Sequence, residues 1–157
     1  MLLERPSCDF PAEEVDDNGE DLPLDVCFVL RDGSDVTLVT WGAMILETMD
    51  AAERLATAGI ETEVIDLATL KPIDVECVLS SVRRTGRCVV IHEAPLSGGL
   101  GGEVAARIAD EALTALLAPI KRITGYDTIM PLPRLEEHYM PSVERIIEAA
   151  RKVMEYA

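Results

Sequence analysis

The residues of this chain with the most obvious chemical potential follow a short apolar run. His92 and Glu93 come directly after Cys88–Ile91, whose length and β-branched content predict a buried strand. A histidine beside a carboxylate could act in general acid–base catalysis, and α/β proteins place their sites at the carboxyl ends of strands. Adjacent strand residues point to opposite faces, so the two side chains need not meet. We therefore expect His92 to shape the following loop by hydrogen bonding, with a catalytic role as the lesser alternative.

The loop after this strand contains four glycines, which could let backbone approach a ligand closely. From Gly99 the spacing is Gly-x-Gly-x-x-Val, so the third glycine of a dinucleotide-binding fingerprint is absent, and no P-loop Lys-Ser or Lys-Thr follows. Glu103 lies in the first turn of the next helix, where its carboxylate already interacts with the positive end of the helix dipole. We expect a structural or interfacial loop. The predicted interface residues are His92, Glu93, Pro95, Gly98, Gly99, Gly101, Gly102 and Glu103.

The chain offers few residues for a histidine metal site, a serine nucleophile or a cysteine site. The chain has two histidines, His92 and His138, and no Gly-x-Ser-x-Gly elbow. Four scattered cysteines form no Cys-x-x-Cys pair and predict reduced, buried thiols in a cytoplasmic protein; they are Cys8, Cys27, Cys77 and Cys88. The residues alone therefore predict a domain without a complete active site, with no catalytic, cofactor-binding or metal-binding residues of its own.

Composition limits the classes of partner. The 157 residues, 48% of them hydrophobic, fit one compact domain, and no apolar run approaches a membrane span or forms a secretory signal. The net charge is −15, of which residues 1–25 contribute −8 and the remaining residues −7. This balance argues against nucleic acid as a partner. A basic protein partner and a plain solvated surface both remain open.

The hydrophobic periodicity predicts alternating strands and helices after an acidic arm. Residues 1–22 lack periodicity and predict a solvated linker, and residues 23–157 form the domain. Turn residues at 31–35 predict a hairpin between the first two strands, hence an antiparallel first strand. The fold predicted is a three-layer α/β/α sandwich with a five-stranded, mostly parallel sheet. The predicted strands are Val26–Leu30, Val36–Thr40, Glu63–Leu67, Cys88–Ile91 and Pro119–Thr124.

Four helices are expected between and after these strands. One follows Gly42 and ends at Gly59, and a second runs from an Asp74 N-cap to Gly86. A third extends from Glu103 with an apolar pattern that continues to Leu116. The last presents one apolar stripe to the core, formed by Val143, Ile146, Ile147, Ala150 and Val153.

Several separate motifs fall in a known order: Asp35–Gly42, His92–Pro95 with Gly98-Gly99, Gly125–Thr128, and Met140-Pro141. Together they resemble the C-terminal domain of the beta subunit of 2-oxo acid dehydrogenase decarboxylating components, in the transketolase C-terminal superfamily. The resemblance covers about residues 22 to 157. It implies a five-stranded sheet with one antiparallel strand. The departures are Leu100, where the family often has phenylalanine, and Ile129-Met130, where it often goes straight to proline.

The resemblance also implies where the chemistry is done. In this family thiamine diphosphate and magnesium lie between the alpha subunit and the beta subunit's preceding pyrimidine-binding domain. We expect no cofactor in this chain and no activity from it alone. Met1 begins near the interdomain linker, so an excised domain, a truncated form or a split gene product is expected. The motif His-Glu-Ala-Pro-Leu-Ser-Gly-Gly favours branched-chain 2-oxo acid enzymes, and the motifs of pyruvate and acetoin enzymes are similar to it.

The expected partners follow from the same resemblance. They are the alpha subunit and second beta subunit of a heterotetramer, and the subunit-binding domain of the acyltransferase core. An isolated domain that keeps its contact surface is expected to form a homo-oligomer. Two other classes remain as alternatives: a stand-alone protein-binding module that uses the glycine loop and acidic arm, and an independent small-molecule enzyme at His92.

Overall fold

The computed structural model describes residue 19 and residues 23–131 and 135–156. Apart from residue 19, the predicted arm 1–22 lies outside these residues. None of the helices within them is long and apolar enough to cross a membrane. The strands are β1 (Phe28–Arg31), β2 (Val36–Thr40), β3 (Thr62–Asp66), β4 (Cys88–Pro95) and β5 (Lys121–Gly125). The helices are α1 (Met44–Thr57), α2 (Val75–Thr85), α3 (Gly101–Ala112), α4 (Glu136–Tyr139) and α5 (Val143–Met154).

The sheet has the order β1-β3-β2-β4-β5, with β1 antiparallel to β3 and the other pairs parallel. The predicted mostly parallel sheet with one antiparallel strand is confirmed, but the predicted hairpin is wrong, because β3 lies between β1 and β2. The turn encloses the start of β3. The amides of Ser34 and Asp35 donate to the Glu61 carbonyl, and the Asp35 carboxylate accepts the Glu61 amide at 2.7 Å. Gly33 lies so close to the Thr62 backbone that a Cβ would overlap it.

The core has two halves, one on each face of the sheet. Alternation along β2 sends Val36 and Leu38 to the half covered by α1 and α5, and Val39 to the half covered by α2 and α3. All three are fully buried. On the second face the buried Thr37 hydroxyl bonds the hydroxyls of Ser81 and Thr85, at 2.6 and 2.7 Å. The predicted three-layer α/β/α sandwich is therefore confirmed.

The helix ends follow the sequence signals at α2 and differ at α3. Asp74 caps α2 by accepting the Cys77 amide at 3.2 Å, and Gly86 ends it with φ +69°, both as predicted. The predicted continuation of α3 to Leu116 is wrong: the helix ends at Ala112, a short 3₁₀ turn follows, and Leu113 is 65% exposed. The chain turns here because the Leu117 amide donates to the Gly86 carbonyl at 2.7 Å.

The cysteines also differ from expectation. Cys27 and Cys77, predicted as reduced thiols, form a disulfide across 50 residues of sequence. Asp74 brings them together, because its carboxylate accepts the backbone N–H of each. Cys88 is the buried free thiol that was predicted, and burial raises its pKa to about 12. Cys8 lies outside the described residues.

Candidate functional site

The predicted interface lies where β4 ends and α3 begins, at the carboxyl edge of the sheet. The structure separates its members by depth. His92 and Gly101 are buried; Pro95, Gly99 and Gly102 are half-buried; Glu93, Gly98 and Glu103 are exposed. The buried members therefore support a surface that the others present.

The His92 side chain is packed beneath the glycine loop. It is 1% exposed and stacks on Trp41, with ring centroids 5.1 Å apart and planes inclined by 11°. A Cβ at Gly99 would lie 2.6 Å from His92 Cε1, and one at Gly101 would overlap Nε2. Only glycine at these two positions lets the loop close over the imidazole. This explains the glycines structurally, without any ligand.

The electrostatics of His92 favour the neutral form. Burial lowers its pKa, the positive charge of Arg122 lowers it further, and a backbone interaction at Ala94 only partly opposes them. Neither ring nitrogen has a hydrogen-bond partner of good geometry among the described residues. The expectation that His92 shapes the loop by hydrogen bonding therefore stays a prediction, and the contacts that the structure shows between the ring and the loop are packing contacts. The covered ring also leaves no room for a substrate, and Glu93 points out to solvent.

Two loops at this edge are fastened to each other. The Ser97 backbone amide and hydroxyl both donate to the Asp127 carboxylate, at 2.8 and 2.7 Å, and these bonds lower the pKa of Asp127. Arg122 donates to the Leu96 carbonyl at 3.0 Å. Sequence reasoning missed the pairing of Ser97 with Asp127. The available signal was that β4 and β5 were predicted as successive strands of one sheet, which brings the loops after them together.

A set of exposed apolar side chains lies on these fastened loops. We call Leu96, Tyr126, Ile129 and Met130 the loop-edge patch; their exposed fractions are 42%, 52%, 91% and 49%. Arg145 holds the second loop from below. Its guanidinium lies 4.8 Å from the centre of the Tyr126 ring and donates to the Thr124 carbonyl at 2.7 Å.

An acidic cleft of about 670 Å³ adjoins this patch and shares Met130 with it. Its apolar lining includes Met44, Met140 and Val143, and its acidic lining includes Glu47, Glu93, Glu136 and Glu144. A hydrogen bond from the Glu144 amide and the guanidinium of Arg54, 3.2 Å away, lower the pKa of Glu144. One carboxylate oxygen of Glu47 is buried and has no partner among the described residues. The cleft therefore combines an apolar floor with negative charge.

The residues of the glycine loop do not fit the thiamine diphosphate that the resemblance associates with the family. A diphosphate needs free amides and positive charge, but the imidazole fills the space beneath the loop. Glu103 places a carboxylate at the start of α3, where it pairs with Arg107 at 2.7 Å. Within the described ranges, Cys27, Asp74 and Cys77 form the one group of three potential metal ligands. Two sulfur donors do not suit magnesium, which prefers oxygen.

Comparisons with known sequences agree with the motifs. Residues 26–146 match the family model described as transketolase, C-terminal domain. The chain is 40% identical over 144 residues to the pyruvate dehydrogenase E1 component subunit beta of Staphylococcus epidermidis and to that of Staphylococcus aureus. Each alignment covers 92% of this chain and 44% of the relative. The chain therefore spans less than half the length of these curated relatives.

Comparisons of the fold agree as well. A solved structure described as a split gene transketolase, inactive beta4 tetramer, superposes with a TM-score of 0.77 at 31% identity, covering 92% of this chain and 46% of that one. A 2-oxoglutarate:ferredoxin oxidoreductase from Magnetococcus marinus shares the fold at a TM-score of 0.54 and 15% identity, covering 82% and 19%. The resemblance inferred from the motifs is confirmed, and the chain belongs to the transketolase C-terminal domain family.

Proposed function

We propose that this chain is the assembly domain of a 2-oxo acid dehydrogenase beta subunit. The complete enzyme decarboxylates a 2-oxo acid oxidatively and passes the acyl group to a lipoyl group. In it the domain associates with the alpha subunit and a second beta subunit, and docks the acyltransferase core. The observation that carries the proposal is the loop-edge patch, exposed on loops that are held in place; the similarity to E1 beta subunits supports the enzyme class.

The patch has the properties of a prepared contact surface. Exposed apolar side chains on neighbouring loops mark interaction sites more often than isolated ones do. The Ser97–Asp127 and Arg145–Thr124 bonds hold the loops before a partner arrives, so less conformational entropy is lost on binding. The neighbouring Pro95 and Gly98 belong to the interface predicted from the sequence, and we propose that they extend the same surface.

We propose pyruvate as the 2-oxo acid of the complete enzyme. The motif at His92–Gly99 alone favoured branched-chain substrates. The relatives at 40% identity are described as pyruvate dehydrogenase subunits, and this similarity extends over 144 residues rather than eight. Pyruvate is therefore the better supported choice.

The acidic cleft supports the docking part of the proposal. Four glutamates and a methionine-rich floor fit a partner surface that carries lysine or arginine beside apolar side chains. We propose that the subunit-binding domain of the acyltransferase core occupies this cleft. The expected signature is binding that weakens steeply as salt concentration rises.

A chimaeric enzyme tests the proposal. The aligned region of the Staphylococcus aureus beta subunit is replaced by this chain, and the chimaera is produced together with the alpha subunit from the same organism. We expect the two subunits to co-purify and to oxidise pyruvate when the remaining components are added. The matched control is a chimaera with Ile129→Asp, in which the most exposed side chain of the patch is replaced by a charged one.

The alternative is a stand-alone protein-binding module. Co-purification of the chimaera with the alpha subunit would argue against this alternative. A chimaera that is folded by circular dichroism but does not retain the alpha subunit would contradict the assembly role. An independent enzyme at His92 has no support in the geometry, because the imidazole is covered by Trp41 and the glycine loop.

A further inference from the structure

The disulfide between Cys27 and Cys77 joins two different layers of the fold. Cys27 immediately precedes the edge strand β1, and Cys77 lies in the first turn of α2. The Asp74 carboxylate holds both backbones. One of its oxygens accepts the Cys27 amide and the other accepts the Cys77 amide, each at 3.2 Å. A single side chain therefore places the two cysteines opposite each other, whatever the state of the sulfurs.

The two cysteines are accessible, in contrast to the third described cysteine. Cys27 and Cys77 are half-buried, and thiol–disulfide exchange requires cysteines that are at least partly exposed. Cys88 is fully buried in the sheet, with its pKa raised to about 12, and is inert by comparison. Cys88 can therefore serve as an internal control for the Cys27–Cys77 pair.

We propose that Cys27 and Cys77 form a reversible thiol–disulfide exchange site, oxidised by a low-molecular-weight disulfide of the glutathione type, that fastens β1 to α2. The Cys77 thiolate attacks one sulfur of the small disulfide and releases one small thiolate. The Cys27 thiolate then attacks the Cys77 sulfur of this mixed disulfide and releases the second. Two protein thiols lose two protons and two electrons, and one small disulfide becomes two small thiols.

The location of the pair gives the exchange a structural consequence. The strand β1 has four residues, pairs with β3 at the edge of the sheet, and has an irregular register between Val29 and Arg31. Its Val29 and Leu30 side chains are 47% and 41% exposed, so little apolar burial holds it. Reduction removes the covalent link to α2 and leaves the ladder with β3 and the hydrogen bond from the Cys27 amide to Asp74. The edge of the sheet should then open more often.

A zinc site is the other chemistry that these side chains could offer. Structural zinc sites have four protein ligands, and the described residues supply three at this position. Both oxygens of Asp74 already accept backbone N–H groups. The arrangement therefore favours a disulfide, and zinc binding becomes one outcome of the test.

The test is a redox titration of the full chain with Cys8→Ser, which removes the thiol outside the described residues. Samples are equilibrated in reduced and oxidised glutathione at varied ratios, trapped by alkylation and analysed by mass spectrometry. Cys27 and Cys77 should lose and regain their thiols together, while Cys88 stays reduced. Hydrogen exchange at the amides of 28–31 should be faster in the reduced protein.

Asp74→Asn sharpens the experiment because it weakens the hold on one cysteine and keeps the other bond. Asparagine keeps an oxygen that can cap α2, but replaces the second acceptor with an NH₂ donor. Cys27 is then held opposite Cys77 for less of the time, so the effective concentration of the two thiols falls. The glutathione ratio at half-oxidation should shift about five- to tenfold towards the thiols. Asp32→Asn, in the exposed turn after β1, is the matched control and should leave the ratio unchanged.

Three results would each overturn the proposal. If the pair remains reduced at every ratio, it does not form a disulfide with glutathione. If it remains oxidised at every ratio, it is a permanent structural disulfide. Alternatively, the reduced chain could retain stoichiometric zinc in native mass spectra after addition of zinc chloride and resist oxidation, which would make the cluster a metal site.

Discussion

The indole of Trp41 and the imidazole of His92 are stacked, with centroids 5.1 Å apart and planes inclined by 11°. Trp41 directly follows β2 and His92 lies near the end of β4, the neighbouring parallel strand. A second side of the imidazole meets Gly101 in the first turn of α3. The ring therefore fixes the position of the glycine loop relative to two central strands.

The first prediction concerns Gly101→Ala. The new Cβ would overlap Nε2 and Cδ2 of His92, which the stacking on Trp41 prevents from moving away. We expect the free energy of unfolding to fall by about 1–3 kcal/mol, the usual cost of overpacking a core. Guanidinium denaturation followed by circular dichroism measures it.

The neighbouring glycine is the control. In Gly102→Ala the nearest group is Arg122 Nη1, at 3.3 Å, which donates to the Leu96 carbonyl and needs to move by only a few tenths of an ångström. The better helix propensity of alanine offsets this shift, so the stability should change by less than about 1 kcal/mol. Adding His92→Ala to Gly101→Ala should give a smaller loss than the sum of the two single losses. Strict additivity would show that the imidazole is not the obstacle.

The second prediction is a loss of stability in mild acid. The pKa of His92 is lowered in the folded protein. Near pH 6.5 the histidine of the unfolded chain therefore binds a proton while the histidine of the native state stays neutral. Stability is fully present above about pH 6.5 and is lost as the pH falls from there towards the folded pKa, with a slope of up to one proton. Denaturation series between about pH 7.5 and 5.5 stay above the range in which ordinary carboxylates titrate. His92→Phe should flatten the dependence, and an equal slope in that variant would contradict the assignment.

The third prediction concerns the cofactor. The carboxylate of Glu103 and the buried imidazole leave the start of α3 unsuited to a diphosphate, so the chain alone should not bind thiamine diphosphate. Calorimetric titration with thiamine diphosphate and magnesium measures this. A micromolar dissociation constant would contradict it.

The strand–helix alternation predicted the layers of this fold, because hydrophobic period and turn residues are local signals. The position of β1 was not predictable in the same way. The turn residues 31–35 suit a hairpin, yet here they enclose the start of β3. The bonds to Glu61 that decide this join residues 26 or 27 positions apart. The Cys27–Cys77 pair, 50 residues apart, is hidden for the same reason.

The candidate site shows the same division between local and distant information. The glycines after β4 are visible in the sequence and predict a close approach of backbone. What they approach is His92, and its burial depends on Trp41, 51 residues earlier, which no local pattern connects to it. The apolar character of Ile129 and Met130 is also visible, but their exposure depends on how Asp127 and Arg145 hold the loop.

The fourth prediction is that Arg145→Lys loosens the loop after β5. Lysine cannot reproduce the planar contact with Tyr126 while donating to the Thr124 carbonyl, which belongs to a buried residue. We expect a loss of about 1–2 kcal/mol in stability and faster hydrogen exchange in residues 126–130. Arg151→Lys, on an exposed position of the same helix, is the control and should change neither quantity.

The last prediction is that the isolated chain self-associates through the loop-edge patch. The patch places four exposed apolar side chains on loops that are held in place, which supports this expectation. Gly99 and Gly101 are poor probes of the contact, because larger residues there would collide with His92 inside the chain.

Ile129 is 91% exposed, and replacing it with a charged residue should leave the fold intact. If association buries this side chain, Ile129→Asp should weaken it at least about tenfold, since a buried isoleucine contributes roughly 1.5–3 kcal/mol. Leu113→Asp, 65% exposed beyond the end of α3, should leave association unchanged. Sedimentation equilibrium decides between the outcomes: a wild-type chain that remains a 17.1 kDa monomer at high concentration would refute self-association, and equal effects of the two substitutions would move the contact away from the patch.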